Sequence, residues 1–305
     1  MFSKLFAESG LSLDRLKALL AVGAAGSIVK AAGGDAVKQS QFSRQIKELE
    51  DFFRIKLVER HGKGIRLTAN GKELARISRF FLLGLSNFQR GCLAEEQTFR
   101  IGASATFIQQ FLLPVVAGAN AAQSDTRYIV ETVSDDEIER RLHDLTLDFG
   151  VITRAAISRP LQLKALGKWR LNLCVPLALH RTQKSAALAS KERRLPLAIA
   201  AKELESAGAD TFGDHDRRLL CDDFLQALAA LREQQVAAVL PDYLNPNGAS
   251  KSFFRLPIKG IDSTFQFRLA WNPRLLRLNP HAARRREFLA ARLSAGLVER
   301  RVAAL

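Results

Sequence analysis

The sequence predicts at least two compact units: an α-rich N-terminal unit, then a long helix, then a larger α/β unit. Three observations support this fold class. The chain has 305 residues, more than one domain usually holds. Apolar residues recur at helical spacing as far as about residue 93. Beyond residue 98, strand-like and helix-like segments alternate, which is typical of helices packed on a sheet.

Composition narrows the class of protein and of partner. Hydrophobic residues make up 47% of the chain and charged residues 25%, values typical of a soluble globular protein. Lys and Arg number 46 against 31 Asp and Glu, a net charge of +15. Such an excess favours an anionic partner, either nucleic acid or an acidic membrane surface. Residues 1–97 hold 16 basic and 10 acidic residues, so the excess is not confined to one part of the chain.

The stretch Gln39–Glu50 predicts an amphipathic helix with two chemically opposite faces. The apolar residues at helical spacing are Phe42, Ile46, Leu49 and Phe53, and the polar residues on the other side are Ser40, Arg44 and Lys47. A helix that binds in the major groove of DNA needs this division between a packing face and a hydrogen-bonding face. An ordinary surface helix has the same pattern, so the flanking segments must decide between the two interpretations.

The segments before this stretch favour the DNA-binding interpretation. Ser12 is placed to cap a first helix, which the glycines at Gly23 and Gly26 end. A second, short helix follows Ser27 and stops at Gly33-Gly34. We then expect a turn over Ala36–Gln39 and a third helix whose N-cap is Ser40. Helix, short helix, turn and helix is the order of a helix-turn-helix.

The segment after the third helix predicts a basic β-hairpin. Residues 57–60 and 65–67 have strand character and flank a turn with two glycines, His61-Gly62-Lys63-Gly64. Arg60, Lys63 and Arg66 would then meet the sugar-phosphate backbone of DNA as a wing. A basic hairpin tip in contact only with solvent is the alternative.

These residues resemble the winged helix-turn-helix of LysR-type transcriptional regulators. The resemblance is carried, in chain order, by Gly26-Ser27, Ala31-Ala32, Val37, Gln39, Ser43-Arg44-Gln45-Ile46, Leu49-Glu50, Leu57, Glu59-Arg60, Leu67-Thr68 and Gly71. The chain departs from the family at Gly33-Gly34-Asp35, where a longer helix is usual, at Ser40 (commonly Pro) and at Val58 (commonly Phe). The resemblance implies DNA contacts from Ser27, Gln39, Ser40, Gln41, Ser43, Arg44 and Lys47, and wing contacts from Lys63 and Arg66.

A long helix is predicted from the cap residue Thr68 to about Leu93. Its apolar stripe consists of Leu74, Ile77, Phe81, Leu85 and Phe88. Phe80 and Leu83 lie off this stripe, so the helix must be covered from more than one side. A second subunit could cover it, and packing against its own domain is the alternative. In the resembled family this linker helix pairs two subunits, so that two recognition helices meet a two-fold operator.

The second part predicts an open, largely parallel sheet with helices on its faces. Strands are expected at 99–103, 128–133 and 147–152, a helix at 107–122, and another after a capping box at 134–137. Ligands of such sheets bind beyond the carboxyl ends of the strands. The side chains there are Ser104, Thr106, Ser134, Thr153 and Arg154, which would suit a small anion such as a carboxylate. Helix capping without a ligand is the alternative.

This part resembles the effector domain of the same regulators, which is similar to periplasmic solute-binding proteins and has two subdomains. The resemblance rests on the strand order, on Leu147-Asp148 and on the run Val236–Pro241; Glu233-Gln234-Gln235 stands where the family often has glycines. The expected domains are 1–68 (winged helix-turn-helix), 69–97 (linker helix) and 98–305 (effector domain). Within the last, we expect subdomain I at 98–168 and 262–305 and subdomain II at 169–261.

The sequence contains no pattern typical of catalysis, of a cofactor or of a metal. Cys92, Cys174 and Cys221 lack CxxC spacing, which predicts a reducing, cytoplasmic environment. Residues 101–124 are uncharged but too polar to span a membrane. Asp214-His215-Asp216 is more typical of a polar loop than of a metal site.

The favoured hypothesis is a dimeric or tetrameric transcription regulator of LysR type that is not an enzyme. Its expected partners are operator DNA, a small effector, further copies of itself and, as a further candidate, RNA polymerase. Two other hypotheses stay open. The second half could be a solute-binding protein or enzyme that is dimerised by the first half, or the chain could bind DNA without sequence choice.

Overall fold

A computed structural model of the chain describes residues 10–62, 64–93, 96–122, 126–192, 194–204, 218–233, 235–244, 252–258 and 264–303. The chain divides into two units, Met1–Glu95 and Glu96–Leu305. Among the described residues, no helix is long and apolar enough to cross a bilayer. No cluster of three or more His, Cys, Asp or Glu side chains suited to a metal occurs in the same ranges. The stretch 214–216 and the wing residue Lys63 lie outside them.

The first unit has the predicted order of helices and hairpin. It comprises α1 (Leu13–Ala25), α2 (Ile28–Ala31), α3 (Ala36–Phe53), the strands β1 (Val58–His61) and β2 (Gly64–Leu67), and α4 (Ala69–Leu93). Ser12 caps α1, since its hydroxyl accepts the Arg15 N–H at 3.3 Å. Thr68 caps α4, because its hydroxyl accepts the Gly71 N–H at 3.0 Å. Both predicted caps are confirmed.

The start of α3 corrects the sequence prediction. Ala36–Gln39 is helical and not a turn, and the N-cap is Asp35, whose Oδ1 accepts the amides of Val37 and Lys38 at 2.9 and 3.2 Å. Ser40 therefore lies inside the helix and does not cap it. The turn comes earlier because Gly33 and Gly34 adopt φ values of 62° and 85°, which side chains with a Cβ rarely adopt. An Asp directly after that turn is as good a cap as Ser.

The core of the first unit joins the helices to the hairpin. Leu16, Leu19, Leu49 and Leu57 are buried together, and Phe53, Val58, Leu67 and Leu74 pack against them. Gly71 brings α4 close to the hairpin, since a Cβ there would lie 2.0 Å from the Leu57 carbonyl oxygen. The predicted inward face of α3 is thus buried at Ile46 and Leu49 and half-buried at Phe42 and Phe53.

The second unit is an α/β domain. Its strands are β3 (Gln97–Ala103), β4 (Thr126–Thr132), β5 (Phe149–Ile152), β6 (Gln162–Pro176), β7 (Leu197–Ala200), β8 (Arg218–Cys221), β9 (Ala237–Pro241), β10 (Phe253–Pro257) and β11 (Thr264–Trp271). Its helices are α5 (Ala105–Phe107), which continues through a π-helical turn (Ile108–Leu112) into α6 (Leu113–Ala122), then α7 (Asp135–His143), α8 (Gln183–Lys191), α9 (Ala201–Leu204), α10 (Phe224–Arg232), α11 (Pro273–Leu278) and α12 (Pro280–Ala303). Sequence patterns did not predict β7, β8, β10 or α8.

The described strands of this unit form one nine-stranded sheet in the order β4-β3-β5-β11-β6-β9-β7-β8, with β10 also paired to β6. The sheet is mixed: β3 pairs in parallel with β4 and β5, and β7 with β8 and β9, whereas β11 and β6 pair antiparallel to their neighbours. The prediction of a largely parallel sheet was therefore wrong.

The sequence also predicts two separate extended segments, 161–166 and 170–175, but residues 162–176 form one strand, β6, which runs through both halves of the sheet. Gln162–Arg170 pairs with β11, and Leu171–Cys174 pairs with β9. The change of partner between Arg170 and Leu171 lies close to the predicted crossing near Lys168. The predicted return near Asp262 lies outside the described residues.

Candidate nucleic-acid interface and effector cleft

The side of α3 opposite its buried face carries exposed polar side chains. These are Ser40, Gln41, Ser43, Arg44 and Lys47, while Gln39 is half-buried. The prediction of one apolar and one polar face along this helix is confirmed. Phosphates and base edges are recognised by hydroxyl, amide, ammonium and guanidinium groups of this kind.

Arg44 is an exposed cation of this face that also forms an ion pair. Its side chain is 81% exposed, and its Nε donates to Glu48 Oε1 at 2.8 Å, one helical turn further on. Arg15 of α1 donates to the other oxygen of Glu48 at 2.5 Å. These hydrogen bonds raise the pKa of Arg44 and lower that of Glu48. Glu48 thus holds Arg44 against the helix, a role that the sequence analysis missed although the i,i+4 spacing signals it.

The hairpin is attached to the helices through backbone bonds. The Ile65 N–H donates to the Gly26 carbonyl at 3.1 Å, next to Ser27, whose hydroxyl caps α2 by accepting the Lys30 N–H at 3.5 Å. On the hairpin, Arg60 is exposed, and Arg66 is exposed and donates to Glu59 at 2.7 Å. The described basic residues of the predicted wing are therefore accessible.

Glu50 fastens α3 to the hairpin from inside and was also missed. It is only 8% exposed, and its carboxylate accepts the amides of Leu57 and Val58 at 2.8 and 3.2 Å and the Lys56 ammonium at 2.9 Å. Burial alone would raise the pKa of Glu50, but the Lys56 hydrogen bond and the two amides outweigh it and lower the pKa. Glu50 thus links the C-terminal part of α3 to the start of the hairpin.

Helix α4 has an apolar stripe that stays exposed in the part of the chain that the structure describes. Ile77, Phe81, Leu85 and Phe88 are between 44% and 72% exposed. Leu74, at the start of the predicted stripe, instead packs against the core of its own unit. Exposed apolar side chains at successive helical turns are typical of a face that pairs with another helix.

A cavity of about 490 Å³ in the second unit, here called the effector cleft, lies where the sequence predicts a ligand site. Ser104, Ser134, Thr153 and Arg154, which follow the carboxyl ends of β3, β4 and β5, line it. Thr106 does not line the cleft. It belongs to α5 and is 0% exposed.

The predicted cleft residues are already engaged in bonds within the protein. Thr153 donates from its amide and its hydroxyl to Asp135 Oδ2, both at 2.9 Å. Arg154 forms ion pairs with Asp136 and with Glu139. The capping box at Ser134 was wrong in one respect: Ser134 has the backbone of an N-cap, but its hydroxyl makes no capping hydrogen bond. The three acidic residues after it, at 135–137, stabilise the helix terminus electrostatically instead.

Glu203 of α9 connects the two sides of the cleft. Its carboxylate accepts the hydroxyl and the amide of Thr106 at 2.7 and 3.2 Å, and the Phe224 amide at the start of α10 at 2.9 Å. Burial raises the pKa of Glu203, and hydrogen bonds from Ser104, Phe224 and Thr106 oppose that rise. An internal carboxylate therefore occupies two helix N-termini that could otherwise bind an anion.

Sequence comparison matches both units to one family. Residues 13–72 match the model described as "Bacterial regulatory helix-turn-helix protein, lysR family", and residues 94–294 match the "LysR substrate binding domain". The chain belongs to the LysR family. In this LysR-family chain the first match covers the hairpin and the helices before it, including α3 with Arg44. The second match covers the sheet and the effector cleft.

Individual relatives agree with the family assignment. A probable nitrogen assimilation transcriptional activator of Synechococcus elongatus is 31% identical over 150 residues, 47% of each protein, so the chain spans about half the length of this relative. Full-length OxyR from Pseudomonas aeruginosa has a TM-score of 0.65 at 15% identity and covers 94% of this chain and 95% of its own. Full-length CbnR solved with its target DNA has a TM-score of 0.50 at 18% identity, and the match covers 90% of this chain and 100% of CbnR. At these identities the two structures support the fold.

Two of the site residues that sequence reasoning missed in this LysR-family chain have partners outside their own helix. Glu50 and Glu203 act through partners that the fold brings to them, such as Thr106, which is 97 residues from Glu203. A periodicity of apolar residues identifies faces of helices, but it carries no signal for such pairs. Glu48 differs, because its partner Arg44 is four residues away.

Proposed function

We propose that this LysR-family protein is a sequence-specific DNA-binding transcription regulator that responds to a small molecule. The observation that carries the proposal is the recognition helix α3, with its apolar face buried and Arg44 81% exposed on the opposite face. CbnR, whose fold the chain shares, was solved with its target DNA. We extend DNA binding to this chain on the strength of the α3 surface.

The proposed DNA contacts come from side chains on α3, α2 and the wing. They are Ser27, Gln39, Ser40, Gln41, Ser43, Arg44 and Lys47, with Lys63 and Arg66 from the wing. Asp35 already accepts two amides at the N-terminus of α3. DNA would therefore be held by the side chains of α3 and not by its N-terminal amides. An arginine suits a guanine, whose two major-groove acceptors match the guanidinium fork.

We further propose that two copies pair along α4. The exposed stripe of Ile77, Phe81, Leu85 and Phe88 would then be covered by the same stripe of a second subunit, with residues 69–97 as the pairing segment. Pairing would present two recognition helices to the half-sites of a two-fold operator. A tetramer would be a pair of such dimers.

In the effector domain expected from the sequence, residues 98–305, the cleft would bind the effector between subdomain I (98–168 and 262–305) and subdomain II (169–261). Support for this boundary comes from β6, which changes its partner between Arg170 and Leu171. Preferential binding to one arrangement of the subdomains would shift the arrangement of the subunits on DNA. Such a protein acts by binding DNA and an effector and not by catalysis. It would work in the cytoplasm, with RNA polymerase as a further candidate partner.

The test begins by selecting fragments of the organism's genomic DNA that the full-length protein retains. Binding of the selected fragment and of a scrambled fragment is then measured by fluorescence anisotropy. Arg44→Ala should weaken binding to the selected fragment by roughly 5- to 150-fold, the range for one bidentate base contact, and should reduce the preference over scrambled DNA.

The matched control is Arg194→Ala, which removes an exposed arginine from the second unit. It should bind both fragments as the wild type does. If no fragment is enriched, or if Arg44→Ala binds the selected fragment as tightly as the control, the proposed function is wrong.

A further inference from the structure

The effector cleft has the opposite charge to the chain as a whole. The described residues that line it include five acidic side chains and two basic ones, whereas the full sequence carries a net charge of +15. The acidic residues are Asp135, Asp136, Glu203, Asp222 and Asp223. Even if burial kept Glu203 protonated, four carboxylates would face two cations. A ligand in this cleft therefore meets a negative potential.

The two cations of the lining are paired with carboxylates at the same site. Arg154 is bonded to Asp136 and lies 3.4 Å from Glu139, and Lys202 lies 2.8 Å from Asp222. An anion that joined either cation would lie beside the carboxylate already paired with it, which would repel the ligand. A cation would be repelled by Arg154 or Lys202 in turn, but the lining holds more carboxylates than cations, and each carboxylate oxygen can accept more than one hydrogen bond.

Several backbone amides at the edge of the cleft are occupied in the same way. Glu203 accepts the amides of Thr106 and Phe224, Asp223 accepts the Gln226 amide at 2.8 Å, and Asp135 accepts the Thr153 amide. Three carboxylates of the protein thus occupy four amides at the cleft. The anion expected from the hydroxyl groups at the strand ends would compete with all three.

The remaining wall of the cleft is aromatic. Trp169, Phe224, Tyr243 and Phe267 line it, and the Trp169 ring lies 5.4 to 6.1 Å from the other three, centroid to centroid. Aromatic faces attract cations within about 6 Å, most strongly when the cation has left water. Trp169 is 3% exposed, and its Nε1–H has no hydrogen-bond partner among the described residues. A ligand with an acceptor atom beside its positive group would satisfy that donor.

We propose that the effector cleft binds a small organic cation, an ammonium or guanidinium compound, against its carboxylates and its aromatic wall. The inference rests on the proposed function for the role of the cleft, but its evidence is confined to the second unit. Asp136 and Asp222 lie at the ion pairs that a ligand cation would join. Trp169 and Tyr243 enclose its apolar part.

The experiment is isothermal titration calorimetry of the full-length protein at low salt with matched small probes. The cations are agmatine, putrescine and choline, and the anions are glutarate and benzoate. At least one cation should bind at least tenfold more tightly than either anion. The inference is overturned if an anion binds as tightly as the best cation, or if none of the three cations binds.

Asp136→Asn supplies the second arm, because it removes one charge from the cleft and one of the two ion pairs of Arg154. Asp136 is exposed, so the variant should fold. It should weaken binding of the best cation several-fold and strengthen binding of glutarate. Glu299→Gln removes the same charge from an exposed position on α12 and should change neither. If the two variants behave alike, the cleft is not the binding site and the inference fails.

The outcome is separable from that of the proposed function. A protein that retains a specific DNA fragment but prefers anions would overturn only the ligand class. A protein that binds cations in the cleft but selects no DNA would overturn the proposed function and leave the ligand class standing.

Discussion

The recognition surface and the effector cleft use their polar side chains in different ways. On α3, the polar residues point into solvent, and Arg44 has a partner only four residues away, Glu48. In the cleft, Thr153 and Arg154 are held by carboxylates of the protein, and so is the buried Thr106 beside it. The α3 surface carries cations that face solvent, whereas the lining of the cleft holds more carboxylates than cations. One protein can therefore present a basic surface to DNA and an acidic cleft to its ligand.

Pairing along α4 gives the largest expected effect. The double variant Ile77→Asp with Phe81→Asp places two charges in the exposed stripe, so it should be monomeric by analytical ultracentrifugation. Loss of the second recognition helix should lower affinity for the operator by about 100-fold or more. Leu188→Asp changes an equally exposed apolar residue on α8 and should remain an oligomer. A double variant that keeps the wild-type mass would show that α4 does not form the interface.

Removal of the carboxylate of Glu50 should cost about 3 kcal/mol of stability in the first unit, because two buried amides lose their acceptor. Both tryptophans, Trp169 and Trp271, belong to the second unit. In denaturant titrations, Glu50→Ala should therefore shift the helical transition seen by circular dichroism and leave the tryptophan fluorescence transition unchanged. Equal shifts of both signals would mean that the two units unfold together.

Glu50 also predicts a pH dependence. Because its pKa is lower in the folded chain than in the unfolded chain, the charged form stabilises the fold above the ordinary value of 4.5. That contribution is lost as the pH falls through the lowered value. The stability advantage of the wild type over Glu50→Gln should hence shrink below about pH 4.5 and stay constant above it. An advantage that grows on acidification would contradict this assignment.

Thr106→Val tests whether the hydrogen bond between Thr106 and Glu203, beside the cleft, stabilises the second unit. It removes the hydroxyl that donates to Glu203 at 2.7 Å and keeps the volume of the side chain. The second unit should lose about 1–2 kcal/mol, measured by tryptophan fluorescence, and DNA binding should be unchanged. Thr106→Ser, which retains the donor, should lose less. If the serine variant is the less stable one, packing and not the hydrogen bond to Glu203 is what matters.

The smallest effect is expected on the wing. Arg66→Ala should weaken binding to the operator and to scrambled DNA by a similar factor, because a phosphate contact carries no sequence information. The slope of log affinity against log salt should fall by about 0.9 in magnitude. A variant that lost affinity only for the operator would place Arg66 on a base.

The sequence alone predicted the faces of α3, the hairpin and the length of α4, since each depends on residues within a few turns of one another. It predicted the position of the cleft from the ends of three strands, and four of its five cleft residues line that cavity. It placed the start of α3 five residues late because two caps, Asp35 and Ser40, were both suitable. The choice between them was made by the turn at Gly33-Gly34.

Only the tertiary structure decided what surrounds those predicted residues. It brought Glu203 to Thr106 and Phe224, Glu50 to the hairpin, and four aromatic rings to one wall of the cleft. Helical faces repeat every 3.6 residues and so leave a local pattern in the sequence. Partners far apart in the chain have no fixed spacing, and so the charge of the cleft became visible only in the folded protein.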